Sequence, residues 1–332
     1  MPFSNSSSLT FLIILLSAIA APQQLLAGNP DSDIRMVRSE FIQPVPYPTN
    51  LNPGKVALGD ALFHDTRLSK DNTISCASCH GLDSGGVDGV PRSFGVNGAE
   101  GDINTPTVFN SGLNYSQFWD GRAASLEEQI NGPINNPKEM ASNWPLVISR
   151  LKEDPAYVSS FASIYDDGIS ADNVREAIAT FERSLNVVDS RFDQYLRGDK
   201  DAISKDELRG YGLFKSYGCV ACHQGQNVGG NMFQKYGVLK DVKHGPVSKV
   251  DFGRFNATGD EHDRYVFRVP SLRLVVLTAP YFHDGSAKTL HDAIYEMAEH
   301  QLGRAIPDED EKLIIKFLHS LVGSYQGKAL DE

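Results

Sequence analysis

The sequence predicts a mainly α-helical chain built from two similar halves, and three observations predict it. The motif Cys-x-x-Cys-His occurs at Cys76-Ala77-Ser78-Cys79-His80 and again at Cys219-Val220-Ala221-Cys222-His223. Both copies sit in the same flanking pattern, so the chain reads as an internal duplication. Each half also closes on a segment of helical period; in the first, Val174, Ile178, Phe181 and Leu185 fall on one stripe.

The chain has 332 residues, room for two modest domains, and 41% hydrophobic content, enough for packed cores. A formal charge of −11 argues against nucleic acid as a partner. Residues 1–27 carry no charged side chain and contain the apolar run Phe11 to Ala21. That run is shorter than the roughly 20 residues a membrane span needs. It reads as the core of a secretory signal, cleaved after Ala27 or Ala20, although no Lys or Arg precedes it. No cysteine lies near either cleavage site to carry a lipid, so no stable membrane anchor is expected.

An exported chain usually commits cysteines to disulfides. Here all four lie in the two motifs, which leaves none for a structural bridge. In C-x-x-C-H the thiols add to the vinyl groups of haem, and the adjacent histidine reaches the iron. Zinc sites and thioredoxin-like pairs also use paired cysteines. A histidine directly after both pairs, in an exported chain, favours two covalent haem c groups with His80 and His223 as proximal ligands. The halves then read as two cytochrome c-like helical domains, residues 28–188 and 189–332.

The repeat aligns the halves residue by residue. Gly59-x-x-Leu62-Phe63 precedes the first motif and Gly210-x-x-Leu213-Phe214 the second. Downstream, Thr105-Pro106-Thr107 leads to Phe118-Trp119-Asp120-Gly121. Its counterpart Val269-Pro270-Ser271 leads to Phe282-His283-Asp284-Gly285, at a constant offset of 164. Near the end of each half, Ile178-Ala179-Thr180-Phe181-x-x-Ser184-Leu185 matches Ile314-Ile315-Lys316-Phe317-x-x-Ser320-Leu321. Fourteen residues after His283 stands Met297; fourteen after Trp119 stands Pro133. Methionine opposite histidine raises a haem's potential, whereas proline offers no side-chain donor. The second haem is therefore expected to be closed by His223 and Met297, and the first open opposite His80. No histidine lies between Gly81 and Cys222, which leaves His64, or a residue of the other half, to cap the first iron.

From Tyr47-Pro48 to Val322-Gly323 the chain resembles the bacterial di-haem cytochrome c peroxidases and the related methylamine-utilisation enzymes, which modify a protein tryptophan. Beyond the haem motifs, the resemblance is carried by Leu62-Phe63-His64-Asp65-Thr66-Arg67-Leu68-Ser69, Phe118-Trp119-Asp120-Gly121-Arg122-Ala123, Asn135-Asn136-Pro137-Lys138-Glu139-Met140 and Pro280-Tyr281-Phe282-His283. It implies that hydrogen peroxide reacts at the first haem, beside Glu139 and Gln129. Glu139 would shuttle a proton between the peroxide oxygens, and Gln129 would orient the bound peroxide. Trp119 would lie between the haems and His283 near the haem propionates. A calcium ion would be held by Asn104, Thr278 and Pro280.

Two positions pull apart. Met297 matches the peroxidases, where the methylamine-utilisation enzymes use tyrosine. Val96 stands where many of the peroxidases place a histidine that blocks the resting iron. The expected function is a periplasmic peroxidase that draws electrons from a small cytochrome c or a cupredoxin, in a family whose members are often homodimers. Its rivals are an oxidase of a protein side chain and a non-catalytic electron carrier.

Overall fold

The computed structural model describes Met1, residues 40–242 and residues 247–330. The expected signal segment, apart from Met1, lies outside the described residues. The fold is helix-rich; its strands form two two-stranded antiparallel pairs, β1 (Phe233–Lys235) with β2 (Val266–Arg268), and β3 (Ser324–Tyr325) with β4 (Lys328–Ala329). No described helix is long and apolar enough to cross a membrane.

Helix α1 (Pro53–Phe63) starts where Asn52 accepts hydrogen bonds from the Gly54 and Lys55 amides, with proline in the first turn. The four-residue α2 spans Leu126–Gln129. Ser170 caps α3 (Ala171–Ser184), which buries Val174, Ala177, Ile178 and Phe181. Leu185, expected on the same stripe, is buried just past its end. In the second half, α4 (Lys205–Tyr217) opens with a Ser204–Glu207 capping box and stops at Gly218, at φ 94°. Helix α5 spans Leu290–Glu296. Helix α6 (Asp308–His319) places four acids in its first turn and Lys316 and His319 in its last, matching the helix dipole at both ends.

Two helix pairs carry the cores. Helix α1 crosses α3 at Gly59, where a Cβ would lie 2.0 Å from the Ala177 carbonyl oxygen. Helix α4 crosses α6 at Gly210, where a Cβ would lie 1.9 Å from the Leu313 carbonyl oxygen. Only glycine lets backbones approach so closely. Phe63 and Phe181 pack beside the first crossing, Phe214 and Phe317 beside the second. Burying one such ring contributes roughly 1.5–3 kcal/mol.

The ends of the described segment cross over. Ile42 belongs to the second core, where Gly225 donates its amide to the Phe41 carbonyl and Tyr211 donates its hydroxyl to Glu40. Tyr325 and Leu330 pack on the first core, and Val188 and Ser324 exchange backbone hydrogen bonds. Between the halves, the Asn104 amide donates to the His283 carbonyl at 2.7 Å and the Arg268 amide to the Trp119 carbonyl at 2.8 Å. These four positions are related by the 164-residue offset of the repeat.

Candidate active site

Each Cys-x-x-Cys-His motif forms one tight turn. Cys76–Cys79 is a four-residue helix ending at His80, and Cys219–Ala221 a 3₁₀ turn that runs into Cys222 and His223. All four thiols are free of disulfides. Burial, the largest influence, pushes the His80 imidazole below its usual range, and His223 down to about 4. Both rings are therefore neutral, the form that ligates a metal. His80 Nδ1 lies 3.2 Å from the Gly86 carbonyl oxygen. That hydrogen bond leaves Nε2 for an iron. His223 faces the carbonyls of Val228 and Pro270, but its buried Nδ1 makes no hydrogen bond of good geometry.

A cavity of about 260 Å³ opens beside the second motif, lined by Cys219, Cys222, His223, Met297, Ile314 and Leu318. Met297 is the first residue of a π-turn, Met297–Gln301, that continues α5. Such turns are rare and frequent at functional sites. A partly buried, neutral histidine, paired thiols and a thioether around one apolar cavity fit a haem c. His223 and Met297, from opposite ends of this half's sequence, line the same space.

The wall between the halves is aromatic and tightly bonded. Trp119 Nε1 donates to the Asn104 carbonyl at 2.9 Å, and its ring meets His283 edge-on at 6.4 Å. His283 stacks on Phe267 at 4.4 Å, and its Nε2 lies 2.8 Å from Asp251 Oδ1. Asn104, Thr278 and Pro280 line this wall together. Asn104 Nδ2 donates to the carbonyls of Val90 and Pro91, which leaves its Oδ1 for another partner.

Around the first motif, Glu139 is half-buried and accepts a 2.6 Å hydrogen bond from Asn136 Nδ2. Burial raises its carboxyl above the usual range, and the Asn136 bond opposes that rise. Its charge acts on the thiols of Cys76 and Cys79. Val96 is buried, and its amide donates to the Glu139 carbonyl at 2.8 Å. The segment that carries Val96 is thus fastened to the segment that carries Glu139. Gln129 ends α2, half-buried; among the described residues no hydrogen bond joins its side chain to Glu139. Pro133 lies in the short helix Asn131–Asn135, and its carbonyl accepts the Met140 amide at 3.1 Å. His64 is half-exposed on the surface, with Nδ1 3.1 Å from Asp60.

Several site residues escape the motifs. Arg268 is buried, its guanidinium donates to the Phe118 carbonyl, and burial lowers its pKa to about 10. Asp251 anchors His283 through a loop that the repeat does not cover. Glu182 is buried on α3 with Oε2 unbonded. The repeat does carry a signal for Glu182, since its register sets it against Leu318.

Comparison with known proteins agrees with this arrangement. The family model "Di-haem cytochrome c peroxidase" matches residues 53–201. Cytochrome c peroxidase Ccp of Escherichia coli is 49% identical over 87% of this chain, which spans 62% of that protein's length. Cytochrome c551 peroxidase of Nitrosomonas europaea is 46% identical over 95% of this chain and 91% of its own. The crystal structure of a MauG-like protein associated with microbial copper homeostasis is similar at 29% identity, with a TM-score of 0.74 over 85% of this chain and 93% of that one. Two C-x-x-C-H motifs, each ending in a partly buried histidine held below its usual pKa, give this chain attachment sites for two haem c groups. The chain belongs to the di-haem cytochrome c peroxidase family.

Proposed function

We propose that the chain is a periplasmic peroxidase that reduces hydrogen peroxide to water with electrons from a small cytochrome c or cupredoxin. The observation that carries this reading is Glu139: a partly desolvated carboxyl whose charge acts on the first motif's thiols, in a segment bonded to a valine that cannot ligate iron. The haem held by Cys76, Cys79 and His80 supplies an iron that binds peroxide, and the haem held by Cys219, Cys222, His223 and Met297 supplies electrons.

The chain's own residues do the rest. The Glu139 carboxylate takes a proton from one peroxide oxygen and returns it to the other, at an Oε atom whose basicity burial has raised. Asn136 fixes that carboxylate through its 2.6 Å hydrogen bond. Gln129 orients the bound peroxide. Trp119, fixed by Asn104 and edge-on to His283, stands where electrons pass between the halves. Asp251 holds the His283 imidazole in place. Asn104 Oδ1, with the carbonyls of Thr278 and Pro280, would take a calcium ion; hard oxygen donors suit it.

We read the two halves, 28–188 and 189–332, as cytochrome c-like domains from one duplication. Support comes from the paired glycine crossings and from matched backbone conformations. Phe118 and Phe282 have φ of 68° and 70°, and Asn110 and Leu274 of 58° and 62°.

Val96 favours a second reading, an oxidase of a protein side chain such as tryptophan, because that chemistry also uses an unblocked iron. Steady-state peroxide consumption with a reduced small cytochrome c separates the readings. A peroxidase consumes peroxide in step with oxidation of the cytochrome. A side-chain oxidase does little without its protein substrate, and an electron carrier does nothing.

A further inference from the structure

We infer that Glu182 is the redox-linked proton acceptor of the first haem, ionised against the oxidised group and protonated when it is reduced. The inference rests on haem attachment at Cys76–His80 and is independent of which haem meets peroxide.

Glu182 is only 6% exposed, and its Oε2 has no hydrogen-bond partner. Its position follows from the register of α3 against α6. Phe181 meets the Gly59 crossing as Phe317 meets the Gly210 crossing, so Glu182 occupies the place of Leu318. Leu318 lines the cavity of the second motif, one turn on from Ile314. Glu182 correspondingly faces the first motif, and its charge acts on the Cys76 thiol. One half thus has a buried acid where the other has an alkyl group. Burial raises that acid to about 8, the range in which a neighbouring charge decides its protonation.

The surrounding charges leave it that freedom. On its own helix, Arg183 favours the ionised form, but Arg183 is bound bidentately by Glu127 from α2. Glu127 opposes ionisation and is partly exposed. From α1, Lys55 is engaged with Glu176, and Asp60 with His64 at the surface. No cation is committed to Glu182 among the described residues. The charge beside it that changes with redox state would be the haem iron's own.

The step is balanced. On reduction, the haem iron would gain one electron from the external electron donor, and Glu182 Oε2 one proton from solvent. Oxidation returns both, so the pocket's net charge stays constant in a medium where an uncompensated charge is costly.

Spectroelectrochemistry of the holoprotein as a function of pH tests this. The first haem's midpoint potential should fall by about 59 mV per pH unit as pH approaches about 8, the value for one proton per electron. Glu182→Gln and Glu182→Leu should both flatten that dependence. The second haem, with Leu318 at the matching place, is the internal reference and a check on folding. A redox-difference infrared spectrum of the unmutated protein should also show a buried carboxyl gaining its proton on reduction. A first-haem potential that is flat with pH, a slope that survives Glu182→Gln, or no carboxyl signal would overturn the inference.

Discussion

Replacing Gly210 by alanine tests the packing that sets the second haem cavity. The new Cβ would lie 1.9 Å from the Leu313 carbonyl oxygen, whereas ordinary contact begins at 3.4 Å. Helices α4 and α6 must part by about 1.5 Å, since both obstructing atoms belong to backbone. A gap of 0.5–1 Å already forfeits a quarter to a half of a dispersion contact. Phe214 and Phe317, whose rings meet at 5.2 Å beside the crossing, lose most. The expected cost is about 1–3 kcal/mol, or roughly 2–12 °C in Tm for a unit of this size. Because Ile314 and Leu318 line the cavity from α6, the second haem's absorption should broaden while the first haem's spectrum stays unchanged. Gly59→Ala, with its Cβ 2.0 Å from the Ala177 oxygen, should do the converse. Thermal unfolding with haem-resolved spectra measures both. Unchanged Tm in either variant, or equal disturbance of both haems by one substitution, would refute the reasoning.

Glu139→Gln keeps the shape but cannot take the proton, so peroxide turnover should fall about 10²–10⁴-fold with both haem spectra unchanged. Asn136→Ala removes a hydrogen bond that favours the ionised Glu139 carboxyl, so that pKa rises further and the acid limb of the pH–rate profile moves to higher pH. Met297→His replaces the thioether with imidazole and should lower the second haem's midpoint potential, slowing donor-supported turnover without altering the first haem's spectrum.

Much of this was legible in the sequence because covalent chemistry and close packing both constrain local spacing. The Cys-x-x-Cys-His motifs, the position of Met297 and the matched Gly59 and Gly210 all stand out in the repeat. Gln129 and Glu139 came from family resemblance, since an acid in a loop carries no mark of its burial. Asp251 and Arg268 stayed hidden for another reason. Their roles arise where the halves meet, and contacts across 32 or 150 residues leave no periodicity. The crossing of the chain ends, with Ile42 in the second core and Tyr325 against the first, is equally a matter of tertiary packing. Glu182 is intermediate: its helix was evident, but the sequence marks its burial only through its Leu318 counterpart.

Electron paramagnetic resonance of the fully oxidised holoprotein distinguishes two unequal resting haems from two equal ones. One high-spin signal is expected, from a first haem left open by Val96 and Pro133, and one low-spin signal, from a second haem closed by His223 and Met297. Two low-spin signals in the oxidised protein, with peroxide turnover appearing only after pre-reduction, would contradict it.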